Sequence, residues 1–239
     1  TKTKDFPLIT PESRFTDDTV LTIAVAECLL RGRDYVDAFH DYFETYPTAG
    51  YGGTFFWWAS SKRREPYNSW GNGSAMRVSP VAYAASTLEE VLEQAKRCAE
   101  VTHNHEHGIR GAQAAASAVF LAHTGSSKEQ IRQYIEKQFG YFLDESLDQL
   151  RPTYPFDVSC QGSVPQSILA FLESSGFEDA IRNAISLGGD ADTMACIAGS
   201  IAEAYYGGVP AEVAVQILER LDDRLRSIVY EFREHYMAS

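Results

Sequence analysis

Apolar residues recur at three- and four-residue spacing along much of the chain. Leu88, Val91, Leu92, Ala95, Cys98 and Ala99 trace one stripe, and Leu218, Leu221, Leu225, Ile228, Phe232 and Tyr236 another. This is the period of an amphipathic helix with one buried face. From Val20 to Leu30 and from Ala195 to Tyr206 the chain is apolar nearly all round, with small residues interspersed. That pattern predicts central helices wrapped by others. The Ala-rich run from Gly111 to His123 reads as a further buried, closely packed helix. Period-two alternation is scarce, so few strands are expected.

Two stretches break the pattern. Residues 46–80 are rich in Gly, Pro, Ser and aromatics, and residues 150–165 carry three prolines and a glycine. Both read as long connections, which in a compact domain are usually functional or disordered. Tyr51, Phe55, Phe56, Trp57, Trp58 and Trp70 argue against disorder in the first. No internal repeat or low-complexity linker divides the chain. The expectation is one all-α domain over residues 1–239, with loops gathered above a site.

Charge then narrows the partners. Lys and Arg number 21 against 33 Asp and Glu, a formal net charge of −12. Phosphate-driven nucleic-acid binding needs the opposite excess and a basic run, and neither is present. No segment approaches the roughly 20 apolar residues that span a bilayer. Cys28, Cys98, Cys160 and Cys196 are far apart and form no C-x-x-C pair. Free buried thiols in a reducing compartment fit that usage, so a cytoplasmic location is expected.

Candidate chemistry concentrates at two acidic helix starts. Phe15-Thr16-Asp17-Asp18-Thr19 opens the first central helix, and Gly188-Gly189-Asp190-Ala191-Asp192-Thr193 opens the one ending near Tyr206. Asp and Thr are good N-caps, and acidic side chains suit a helix N-terminus, so capping alone is the plainer account of each motif. Two such starts, each leading into a buried segment, point further. Adjacent carboxylates resist burial unless a cation or donors compensate. The donor set Thr16, Asp17, Asp18, Asp190, Asp192 and Thr193 is all hard oxygen, which selects magnesium, manganese or calcium over zinc. Four carboxylates exceed what one magnesium takes, so two Mg²⁺ ions, or Mn²⁺ in their place, are expected. Gly188 and Gly189 allow a sharp turn before the second helix.

Three other segments carry weaker signals. Trp70-Gly71-Asn72-Gly73-Ser74-Ala75-Met76-Arg77 has the small residues of a phosphate cradle but no P-loop lysine, and it reads equally as an Asn-Gly turn. His103, His105 and His107 alternate without a second cluster to complete a zinc site; one of them contacting a substrate, or plain capping, accounts for them better. Ser163 and Pro165 read as the cap and first turn of a helix over residues 166–173.

Taken in order, Phe15 to Thr19, Gly50-Tyr51-Gly52-Gly53, Gly71 to Arg77, Thr102-His103 and Ser186 to Thr193 resemble the ADP-ribosylglycohydrolases across nearly the whole chain. That family includes dinitrogenase reductase-activating glycohydrolase and the ADP-ribosylhydrolases of animals. The resemblance implies a compact, orthogonal multi-helix fold with two magnesium ions in a cleft. Thr16, Asp17, Asp18, Asp190, Asp192 and Thr193 would be metal ligands. Gly71, Asn72, Gly73 and Ser74 would hold the diphosphate of ADP-ribose, with His103 lining the cleft and Tyr51 beside it. The implied reaction is magnesium-dependent hydrolysis at the anomeric carbon, releasing ADP-ribose from a modified protein side chain or a small acceptor, with Asp18 and Asp190 as candidate catalytic carboxylates. Family members usually begin with a helix bearing a Gly-Asp motif and then a Glu, and Thr1 lies past that segment. A non-catalytic ADP-ribose- and magnesium-binding relative is the alternative.

Overall fold

The structure, a computed structural model, describes residues 1–237. Its described residues are all-α. The first five helices are α1 (Asp17–Arg31), α2 (Tyr35–Thr45), α3 (Gly53–Ser60), α4 (Gly73–Met76) and α5 (Ser79–Ala84). Next come α6 (Leu88–Glu100), α7 (Glu106–His123), α8 (Lys128–Phe139), α9 (Leu147–Leu150) and α10 (Cys160–Leu172). The last are α11 (Phe177–Ser186), α12 (Ala191–Tyr206), α13 (Ala211–Leu218) and α14 (Asp223–Phe232), followed by a π-helical turn, Arg233–Met237. Backbone pairing of the strand type is limited to one isolated antiparallel bridge, Gly71 to Ser159.

The helix in the middle is α7, which packs against α4, α5, α6, α8, α10 and α12. Its buried face is largely alanine, including Ala112, Ala114, Ala115, Ala116, Ala118 and Ala122. Small side chains let helix axes approach closely, which explains how one helix serves so many neighbours. Gly111 marks the tightest approach, since a Cβ there would collide with Cys160 Sγ. Gly199 does the same for α12, where a Cβ would stand 2.6 Å from Ile181 Cδ1. Around this centre α12 rests on α10 and α11, and α1 rests on α2, α5 and α14.

Several sequence expectations change. Residues 46–80 are not one long loop, because α3, α4 and the start of α5 lie within them. Their aromatics pack among themselves and onto α2, Phe55 against Tyr51, Trp58 and Phe39 of α2, rather than on a periodic stripe. The helix expected over 166–173 starts six residues earlier. Ser159 caps it by accepting from the Gly162 N–H at 3.0 Å. Ser163 and Pro165 therefore lie inside α10. The reason is tertiary: Cys160 N–H donates to the Trp70 carbonyl, which fixes the chain before Pro165. The four cysteines are free, and all but Cys196 are buried.

Two features frame the site. The segment before α1 is tied down by Lys2, whose Nζ donates to the carbonyls of Tyr154 (2.7 Å) and Leu187 (2.6 Å). On the far side of α1 lies an apolar hollow of about 460 Å³ lined by Leu8, Ile23, Ile181, Val213 and Leu221 among others. Beside it α13, though apolar, buries none of its residues.

Candidate active site

The N-termini of α1 and α12 open into one cleft of about 370 Å³. Asp17, Asp18, Asp190, Asp192 and Thr193 line it, together with Gly50, Gly71, Asn72, Gly73 and His103. The two acidic motifs, 172 residues apart in sequence if counted from Asp18 to Asp190, thus face each other. Local geometry explains how each gets there. Asp17 N–H donates to the Ala49 carbonyl at 2.8 Å, which brings Gly50 beside the first start. Gly188 and Gly189 both adopt positive φ (75° and 63°), so the chain turns into α12 through a conformation that other residues rarely take.

Capping does not account for the two starts. The N-cap residues are Thr16 and Asp190, and neither side chain accepts a helix N–H. Thr16 Oγ1 instead donates to Asp18 Oδ2 at 3.0 Å. Asp190 Oδ2 accepts from Asn72 Nδ2 at 2.8 Å.

The carboxylates carry a desolvation penalty. Asp18 is buried, and its Oδ1 has no hydrogen-bond partner. Burial first, then the charges of Asp192 and Asp17, push its pKa up to about 7, against the hydroxyls of Thr16 and Thr193. Asp17 rises to about 6 through burial, with Asp192 and Asp190 adding to it and backbone N–H groups opposing. Asp190 is also raised by burial, with Asn72 opposing. These shifts show that the two starts feel each other's charge.

The glycine-rich segment forms the floor. Asn72 N–H donates to the Val158 carbonyl at 2.8 Å, and Asn72 Nδ2 also reaches Ser163 Oγ at 3.2 Å. The floor is thereby tied to α10 and to Asp190 at once. Gly71 and Gly73 lie against the His103 imidazole; a Cβ at Gly73 would stand 3.3 Å from Nε2. His103 is buried, and desolvation together with the Arg77 charge holds its pKa well below the usual range, so the ring is neutral.

Not every expected residue reaches the cleft. Ser74 is fully buried, and its Oγ donates to the Gly108 carbonyl at 2.8 Å, inside the contact of α4 with α7. Tyr51 stacks on Phe55 with ring centroids 5.1 Å apart, and its ring lies outside the lining. Thr16 stands behind Asp18 rather than at the surface of the cleft. His105 caps α7 by accepting from the His107 N–H. Tyr67, Arg77 and Val158 line the cleft without having been singled out in the sequence. Arg77 alone carried a legible signal, its place at the end of the glycine-rich segment.

Comparison with known proteins decides the family. The profile of the ADP-ribosylglycohydrolases matches residues 2–238. The chain belongs to the ADP-ribosylglycohydrolase family. Mouse ADP-ribosylhydrolase ARH3 is 31% identical over an alignment covering 81% of this chain and 70% of that protein. The ADP-ribosylarginine hydrolase Tri1 of Pseudomonas putida is 32% identical over 59% of this chain and 40% of its own. A solved structure titled ADP-ribosylglycohydrolase-related protein complex superposes with a TM-score of 0.69 at 24% identity, covering 99% of this chain and 92% of that one. It supports the fold. The family is hydrolytic and acts on ADP-ribose linkages, so the chain is a glycohydrolase.

The donor set suits a hard divalent cation in its chemistry. An orphaned buried carboxylate oxygen, mutually raised acids and two hydroxyls are what such an ion would satisfy. Among the described residues, no three His, Cys, Asp or Glu side chains stand close enough together to hold a metal ion between them.

Proposed function

We propose that the chain hydrolyses the glycosidic bond at the anomeric carbon of ADP-ribose, freeing ADP-ribose from a modified protein side chain or a small acceptor. The observation that carries this reading is the meeting of two anionic helix starts over a glycine-lined floor beside a neutral histidine. Asp17, Asp18, Asp190 and Asp192, with Thr16 and Thr193, would hold two magnesium ions. Bound there, the ions would neutralise the cluster and supply Lewis acidity toward oxygen atoms of the ribose and of water. Nothing in the composition favours nucleic acid as the substrate's carrier, and no described helix is long and apolar enough to cross a membrane. Free cysteines fit a reducing, cytoplasmic setting.

The chain's own groups have separable tasks. The 71–73 backbone and His103 would hold the diphosphate. Asp18 is the first candidate to take a proton from the attacking water, since it lines the cleft and its Oδ1 is unpartnered. Water oxygen would bond to C1, the bond from C1 to the acceptor would break, and the acceptor would leave with a proton. Asp190, held by Asn72, keeps a fixed orientation and is the second candidate.

The test is turnover of ADP-ribosylated arginine, ADP-ribosylated serine and O-acetyl-ADP-ribose with and without magnesium. Release of ADP-ribose from at least one, abolished by chelation and restored by Mg²⁺, is expected. No release from any of them, with or without the ion, overturns the proposal.

A further inference from the structure

Arg77 is fully buried, yet no ion pair forms on it among the described residues. Its guanidinium lies 4.4 Å over the Phe39 ring. Nη2 donates to the Cys98 carbonyl at 3.0 Å and to Thr102 Oγ1 at 2.8 Å. A guanidinium carries donors only, so Thr102 accepts in that contact. The hydroxyl hydrogen is left for another partner. Among the described residues Oγ1 has one other hydrogen-bond partner in normal geometry, His103 Nδ1 at 2.8 Å; the Tyr67 hydroxyl also lies near it. Thr102 is itself fully buried. Were Nδ1 protonated, the hydroxyl hydrogen would be left, buried, with only the Tyr67 phenol, which lies outside normal hydrogen-bond geometry, an arrangement folded proteins avoid. Nδ1 is therefore the acceptor, and the neutral ring keeps its hydrogen on Nε2. Nε2 lies on the opposite edge of the ring, against Gly71 and Gly73, where no described side chain receives it.

We infer that Arg77 and Thr102 are positioning residues that lock His103 in its Nε2–H tautomer, so that the cleft offers a hydrogen-bond donor to an oxygen of a ligand lying on the 71–73 backbone. The identity of that ligand as ADP-ribose rests on the reading given under Proposed function; the tautomer does not. The order of donors is fixed at its buried end by a group that cannot accept. The relay thus runs one way, from guanidinium to hydroxyl to imidazole to ligand.

The experiment is long-range ¹⁵N–¹H correlation on the full chain labelled at histidine, with His103 assigned by its loss in His103→Gln. A protonated Nε2 and an acceptor-type Nδ1 are expected. Thr102→Val should mix the tautomers and weaken ADP-ribose binding, read by calorimetry, about tenfold. Thr102→Ser should restore both. A wild-type proton on Nδ1, or an unchanged His103 spectrum in a folded Thr102→Val protein, overturns the inference. If Thr102→Val does not fold, the wild-type spectrum alone decides. An Nε2–H spectrum with no ADP-ribose binding would support the lock while overturning the ligand assignment.

Discussion

The first turns of α1 and α12 present the same chemical groups to one cleft, yet Asp18 is buried with an oxygen unpartnered whereas Asp190 is held by the Asn72 amide. One start keeps its charge in a place that resists it; the other has a donor supplied by a distant loop. The difference separates two tasks that look identical in sequence. A poorly solvated carboxylate titrates near neutrality and answers strongly to a cation or a proton. A hydrogen-bonded one keeps its orientation and gives the site its shape.

Substitutions can break that contrast. Asp18→Asn should lower turnover by about 10²–10⁴-fold, in line with losing a proton-transfer group. Because it also removes an unfavourable buried charge, the metal-free protein should melt higher than wild type at pH 8; turnover and thermal melts check both halves. Asp190→Asn and Asp192→Asn should weaken magnesium binding and remove most activity while far-UV circular dichroism stays unchanged. Magnesium-dependent turnover kept in both would count against the ligand assignment. Asn72→Ala should cost about 10–100-fold in metal affinity, the usual range for a residue that orients a ligand. Isothermal titration with Mg²⁺ would show it, and Asp18-dependent behaviour should be spared.

Acidity sharpens the contrast further. Asp17 and Asp18 titrate near 6 and 7 when folded, above the ordinary 3.8. The folded state then holds extra protons, so the stability these groups contribute is whole below about pH 4 and lost as pH rises through 6 and 7. The metal-free melting temperature should fall by several degrees between about pH 5 and pH 8. Asp18→Asn should flatten that slope, and Mg²⁺ at pH 8 should restore stability by binding the folded state. The smallest effect belongs to Ser163→Ala, which removes the 3.2 Å contact to Asn72 and should cost about 1 kcal/mol or less in chemical denaturation.

Much of this was legible in the chain itself. The spans of α1, α6 and α12 follow the apolar pattern closely, whereas the stripe from Leu218 to Tyr236 is divided among the end of α13, α14 and the π-helical turn, with a break before Asp223. The acidic starts were legible because unscreened carboxylates leading into apolar segments need an explanation. Residues 46–80 were not, since α3 is held by aromatic contacts with no helical period. The direction of the Ser74 side chain, onto the Gly108 carbonyl, was not legible, because sequence adjacency to Gly73 says nothing about which way a one-turn helix points. The start of α10 depended on Trp70, ninety residues earlier, and no local rule reaches that far. Arg77 stood in the sequence only as the end of the glycine-rich segment, since its contact with Thr102, and through it His103, is tertiary.

None of the eight residues of α13 is fully buried; Val213, Ala214 and Leu218 are half-buried along the hollow next to them, which is apolar. A helix that short does not hold itself together in water. Its amides will trade hydrogen with solvent long before those of α7, and a protease will find this stretch first. Whatever fills the neighbouring hollow will slow both reactions there.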